Sequence, residues 1–206
     1  MNKKLIEKHR RDILLTSSKV FAEKGYYNTR ISDIASELGI GHGTIYRYFN
    51  NKQHIFIHLF DLIITGISEI VESENPFTVN TLDEYYDQIA RIGWKLVDFF
   101  AENRELANII FYYEAISMGK KSKSIDKKIK EFSSLIEKIG VNYLKNGIEK
   151  GFLRKDMPVK ETALAVNAMI FEAIRRIFTF TGKERERSAQ LWIKTVQGLI
   201  IRGMLA

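Results

Sequence analysis

The sequence predicts an all-α fold in two parts: a three-helix unit at the N-terminus, then a larger helical bundle, about nine helices in all. Three observations predict it. Apolar residues recur at spacings of three and four almost throughout the 206 residues, which keeps them on one face of a helix, and strand-type alternation is rare. Only two prolines, Pro76 and Pro158, interrupt the chain, while Gly and Asn fall where each apolar stripe ends. The charge is uneven. Residues 1–52 hold ten Lys and Arg against five Asp and Glu, whereas the remainder holds 22 against 20. A basic first quarter on a nearly neutral bundle predicts an anion-binding module joined to a domain of another kind.

The first helix is expected over about Leu5 to Glu23, with Ile13, Leu14, Ser17, Phe21 and Ala22 on one face and Gly25 as its left-handed cap. The second is expected after Thr29, whose hydroxyl suits an N-cap. Its Ile31, Ile34, Ala35 and Leu38 form one stripe, Asp33 favours the positive end of the dipole, and Gly39 ends it. A short third helix follows, from Gly41 or His42 to Phe49. Only Ile45 and Phe49 point inward, which leaves His42, Gly43, Tyr46, Arg47 and Tyr48 outside. Asn51 can cap a long fourth helix from Lys52, with Ile55, Leu59, Leu62, Ile63, Gly66 and Ile70 as its stripe. "TLDE" at Thr81–Glu84 is a capping box that opens a helix to about Ala101. Further helices are expected at Arg104–Met118, from Ser124 to Gly151, from Pro158 to about Phe180, and from Glu184 to Met204. The domain division expected is 1–55 and 56–206.

Two short helices joined by a Gly-containing turn make a helix-turn-helix, whose second helix enters the DNA major groove. Gly41 and Gly43 leave its start without bulk, so backbone can approach a duplex, and its free amides face phosphate. Thr44, Tyr46 and Tyr48 carry hydroxyls suited to phosphate oxygens, and Lys52 is a point charge for the same purpose. Arg47 and His42 are base-reading candidates, since Arg can fork onto guanine. Each has a plainer alternative: Arg47 as a solvated charge, His42 as simply exposed, the tyrosines as packing residues.

The segment "FAEKGYYNTRISDIASELGIGHGTIYRYFNNKQHIF", Phe21–Phe56, resembles the DNA-binding domain of the TetR family of bacterial transcriptional regulators. Phe21, Gly25-Tyr26, Thr29, Ile34-Ala35, Gly39-Ile40, Gly43 to Tyr46, Tyr48-Phe49 and Lys52 carry the resemblance, together with a looser "GFLRKD" later in the chain. It implies a homodimer through the last two helices, a ligand cavity in the bundle, and repression of a palindromic operator relieved by a small molecule. By position it implies DNA contacts from Thr29, Arg30, His42, Gly43, Thr44, Tyr46, Arg47, Tyr48 and Lys52. Gly41 departs from the family's usual Ser, which removes a side-chain cap from the third helix.

The bundle aromatics suggest an apolar pocket, with Trp94, Phe111, Tyr112, Tyr143 and Phe171 as candidates. Such a pocket suits an acyl-type or other apolar or amphipathic effector. The Pro158–Phe180 helix is apolar most of the way round and needs cover on two sides. A partner chain is the simplest second cover, with Ile170, Ile174, Ile177, Leu191, Trp192, Thr195 and Leu199 as interface candidates. No cofactor, metal site or catalytic constellation is expected. His54 and His58 have ligand spacing but no third partner, all four histidines precede residue 60, and cysteine is absent. A non-specific architectural DNA binder is the competing reading, and a helical-bundle enzyme a more distant one. The window Ile55–Val71 reads as too short and too polar to span a membrane, and the charged N-terminus has no secretory core, so a cytoplasmic location without membrane contact is expected.

Overall fold

The computed structural model describes residues 3–111, 122–178 and 180–205. Among them are nine α-helices: α1 Lys3–Lys24, α2 Ile31–Leu38, α3 His42–Tyr46, α4 Lys52–Ser73, α5 Leu82–Glu102, α6 Arg104–Phe111, α7 Lys123–Glu149, α8 Val159–Ile177 and α9 Gly182–Met204. A single 3-10 turn, Pro76–Thr78, precedes α5.

The helix ends follow local chemistry. Gly25, Gly39 and Gly151 hold φ of 78°, 65° and 75°, the left-handed caps that only glycine adopts without strain. At α5 the capping box forms, with the Glu84 amide donating to Thr81 Oγ1 at 3.2 Å and the Thr81 amide to Glu84 Oε2 at 3.3 Å. Asn51 caps α4 by accepting the His54 amide at 2.8 Å. The expected cap of α2 is displaced by one residue. Arg30 holds that position in extended backbone, and Asp33 reaches back to accept its amide at 2.7 Å. That hydrogen bond, then the one from Lys24, lowers the Asp33 pKa. Helix α3 is shorter than expected, because the Tyr48 and Phe49 amides both turn back to the Ile45 carbonyl at 2.9 Å.

The chain forms two compact units: Met1–Thr65 with Asn103–Lys130, and Gly66–Glu102 with Glu131–Ala206. In the first, α1 packs against α2 and α6. Phe21, Tyr26 and Phe56 share edge and tilted ring contacts 4.8–6.0 Å apart at its core. This unit reaches beyond residue 55 because the α4 face of Ile55, Phe56, Leu59, Phe60 and Ile63 is buried. By length and composition alone α4 is long and apolar enough to cross a membrane, where the sequence reading held Ile55–Val71 too short and too polar; the core helix of a water-soluble protein has the same character. In the second unit α9 packs on α5 and α8, and Tyr85, Leu144, Leu153, Met157 and Ala163 form one core cluster.

Candidate nucleic-acid interface and apolar cavity

In α3 and the turn after it, Ile45 and Phe49 are fully buried, while His42, Gly43, Tyr46 and Arg47 are exposed, Tyr46 by 54%. Thr44 and Tyr48 are half-buried at the edge of that face, and Arg30 is exposed at the start of α2. A Cβ built on Gly41 or Gly43 would meet nothing within 4 Å, so the protein itself places no steric demand for glycine there. Lys19–Glu37 at 2.7 Å and Lys24–Asp33 at 3.0 Å tie α1 to α2 on the surface.

Two residues expected to contact phosphate are committed elsewhere. Thr29 is 1% exposed and its hydroxyl donates to the Gly25 carbonyl at 2.8 Å, which shapes the turn before α2 rather than presenting an oxygen to solvent. The Lys52 ammonium donates to the carbonyls of Tyr26, Tyr27 and Thr29 at 2.6, 3.2 and 2.8 Å. An ammonium has three protons, and here all three have acceptors. Burial lowers the Lys52 pKa, against a smaller raising influence of Asp33.

Behind Phe49 lies a histidine network that the sequence did not disclose. The Asn50 amide donates to His54 Nδ1 at 3.2 Å, His54 Nε2 meets His58 Nε2 at 2.9 Å, and His58 Nδ1 meets Asp61 Oδ2 at 3.0 Å. Arg10 lies 2.9 Å from His58 Nε2, and Lys128 pairs with Asp61 at 2.6 Å. One assignment gives each contact along the chain a donor: a proton on His54 Nε2 and one on His58 Nδ1. Burial first, then the charges of Arg10 and His54, lower the His58 pKa, with Asp61 opposing. Both rings pack on Phe49, their centroids 5.7 Å from its own.

The second unit encloses a cavity of about 140 Å³, walled by α5, α7, α8 and α9 and by Val71 of α4. Its wall is almost entirely apolar. Tyr85, Tyr143, Asn167 and Gln197 are polar members of it, and each donates to a backbone carbonyl: Tyr143, Glu74, Ile136 and Tyr86 respectively. Burial pushes the Tyr85 pKa up to about 12 and, with the Glu74 charge, raises that of Tyr143, so both phenols remain donors. A second cavity of about 80 Å³ shares Val71, Ile92, Leu96, Ile139, Asn167, Ile170 and Ile174 with the first.

Of the expected pocket residues, Tyr143 lines the larger cavity and Phe171 the smaller. Trp94 lines neither and is 36% exposed. Tyr112 and the Phe111 side chain lie outside the described residues. Ile170, Ile174, Ile177 and Trp192, expected at a partner interface, line a cavity within the protomer. Leu191, Thr195 and Leu199 of α9 are exposed, Leu191 by 66% and Leu199 by 56%, and so is Leu164 of α8. Tyr85, Asn167 and Gln197 went unnoticed; a lone Asn inside "ALAVNAMIF" was the readable signal.

Comparison with known proteins adds a family frame. The model described as bacterial regulatory proteins, tetR family, matches residues 13–59. The chain is 25% identical over 193 residues to the fatty acid metabolism regulator protein of Bacillus subtilis, covering 93% of each. It is 26% identical to the HTH-type transcriptional repressor KstR2 of Mycobacterium tuberculosis, over 75% of this chain and 74% of that protein. In fold it is similar to the transcriptional regulator FadR of Bacillus subtilis solved in complex with stearoyl-CoA, with a TM-score of 0.73 at 22% identity, covering 94% of this chain and 98% of that one.

Proposed function

We propose that this chain, a member of the tetR family of bacterial regulatory proteins, is a ligand-responsive transcriptional repressor that binds a palindromic operator as a homodimer and is released by a small apolar or amphipathic effector. One observation carries the DNA-binding half. Ile45 and Phe49 anchor α3 from below while His42, Gly43, Tyr46 and Arg47 stand on its outer flank, in a basic quarter of the chain. The side chains able to read or grip a duplex are therefore the exposed ones. Arg47 and His42 are the base readers; Thr44, Tyr46, Tyr48 and Arg30 serve phosphates. For Lys52 the role is proposed as support of the loop between α1 and α2.

The cavity supports the effector half. Its wall suits an alkyl chain, and a structural neighbour was solved with stearoyl-CoA. Leu164, Leu191, Thr195 and Leu199 supply an outward apolar strip for the second copy. Dimeric helix-turn-helix proteins place their recognition helices about 34–36 Å apart, or a multiple of that, to reach successive grooves. An effector that favours another spacing weakens operator binding, and by linkage the operator weakens effector binding by the same factor, of order 5–150-fold. Helix α4 is continuous from Lys52 to Ser73, so the loop staple and the cavity-lining Val71 belong to one element.

Footprinting on genomic fragments tests this reading. A protected palindrome is expected, with affinity falling steeply as salt rises and falling again on addition of a saturating acyl compound. Sequence-independent binding indifferent to small molecules would favour the architectural reading instead.

A further inference from the structure

The cavity wall carries no charged side chain, yet one flank of it adjoins a charged cluster. Val71, Ile92 and Leu96 line the cavity. Glu74 follows Val71 by three residues, and Arg91 and Lys95 immediately precede Ile92 and Leu96. Glu74 is 8% exposed, and its carboxylate accepts from Arg91 Nε at 3.0 Å and Lys95 Nζ at 2.7 Å. Both cations are half-exposed; Lys95 also donates to Ser73 Oγ at 2.8 Å. Tyr143 joins the two regions: it lines the cavity and donates its hydroxyl to the Glu74 carbonyl. Burial opposes ionisation of Glu74, but hydrogen bonds from Lys95 and Arg91, reinforced by their charge, outweigh it and lower its pKa.

We infer that Arg91 and Lys95 form a head-group site for an anionic amphipath whose apolar chain occupies the cavity, and that Glu74 is the resident anion which the ligand's carboxylate or phosphate displaces. This rests on the reading of the cavity as the effector site. The chemistry is an exchange of like for like. The two cations keep an anionic partner throughout, so neither is left uncompensated as the ligand enters. They are reachable from solvent, whereas Glu74 is the enclosed member. What changes is Glu74, which gives up both hydrogen bonds and turns to water. It lies one residue beyond the last residue of α4, so occupation of the head-group site acts on the end of that helix. A neutral amphipath of the same length would fill the cavity and leave Glu74 paired.

The test uses the full-length protein stripped of lipid, with decanoate, decanoyl-CoA and 1-decanol as probes, titrated by tryptophan fluorescence since Trp192 lines the cavity. Wild type is expected to bind at least one anion about tenfold more tightly than 1-decanol, and whichever anion shows that preference distinguishes a free carboxylate from a phosphate-bearing head. The R91Q/K95Q double variant is expected to lose about tenfold in anion affinity while 1-decanol is unchanged. Glu74→Gln is expected to raise anion affinity by removing the competitor. Equal loss for all three probes in R91Q/K95Q would mark a merely structural cluster and overturn the assignment. So would weaker anion binding in Glu74→Gln, a variant that keeps both cations and so decides the matter even if the double variant fails to fold. Wild-type binding without any anion preference would overturn this assignment and leave the effector reading standing. Failure of all three probes to bind wild type would remove both.

Discussion

The Lys52 ammonium stands 4.5 Å from the centroid of the Tyr26 ring and donates to the carbonyl of the same residue at 2.6 Å. One side chain at the start of α4 thus holds the loop between α1 and α2 by charge-assisted hydrogen bonds and by the face of an aromatic ring. Lys52→Met is expected to lower stability by about 1–2 kcal/mol, discounted for partial exposure. Urea denaturation measures it. If Lys52 served only as a phosphate contact, stability would not change and only the salt slope of operator binding would fall, by about one.

Gly43 separates fold from function. No atom lies within 4 Å of the position its Cβ would take, and it sits on the exposed flank of α3. Gly43→Ala is expected to stabilise the protein by up to about 1 kcal/mol through helix propensity while weakening operator affinity, because the added methyl meets the duplex. Thermal melts and gel shifts moving in opposite directions are the signature. A variant that binds the operator normally would remove Gly43 from the interface.

The histidine network predicts an acid-sensitive head. The ordinary His pKa is 6.5 and that of His58 is lower in the fold. Between those two values the unfolded chain binds more protons than the native one, so stability falls as pH falls through that window and levels off below it. Protonating His58 at Nε2 would set a new proton against both His54 and Arg10. His58→Asn is expected to flatten the pH dependence of unfolding below the ordinary His value of 6.5. An unchanged slope would place the titrating group elsewhere.

Gly66 marks a close approach within the second unit. A Cβ there would fall 2.2 Å from Phe99 Cε2, well inside contact distance. Gly66→Ala is expected to cost about 1–3 kcal/mol by overpacking, despite the better helix propensity of Ala. A neutral result in denaturant melts would show that the Phe99 ring moves aside freely.

The outward strip on α8 and α9 predicts the assembly. Leu191→Lys with Leu199→Lys is expected to shift sedimentation from dimer to monomer and to weaken operator binding, while each protomer keeps its helical content, since neither side chain is buried in the protomer. A dimer that persists would move the interface off this strip.

Much of this molecule is written locally. The Thr81–Glu84 box, the left-handed glycines and the Asn51 cap each depend on atoms within a few residues, so their chemistry is readable from adjacent letters. The inward position of Ile45 and Phe49 follows equally from a spacing of four in a helix only slightly longer. Thr29 shows where such reading stops. A hydroxyl before a helix suits a cap, but here it is drawn to Gly25 instead, and the choice depended on how the turn closed against α1.

By itself the sequence determined the all-helical class, the order and approximate ends of the helices, and which flank of α3 stays wet, because helical periodicity and capping act over a few residues. Only the tertiary structure decided that Lys52 is consumed by carbonyls 23 to 26 residues away, that His54 and His58 join Arg10 and Asp61, and that Ile174, Ile177 and Trp192 line one cavity. The physical reason is the same in each case. Periodicity states that a face is apolar or that a donor exists, but which neighbour covers the face, and which acceptor meets the donor, is settled when distant segments pack.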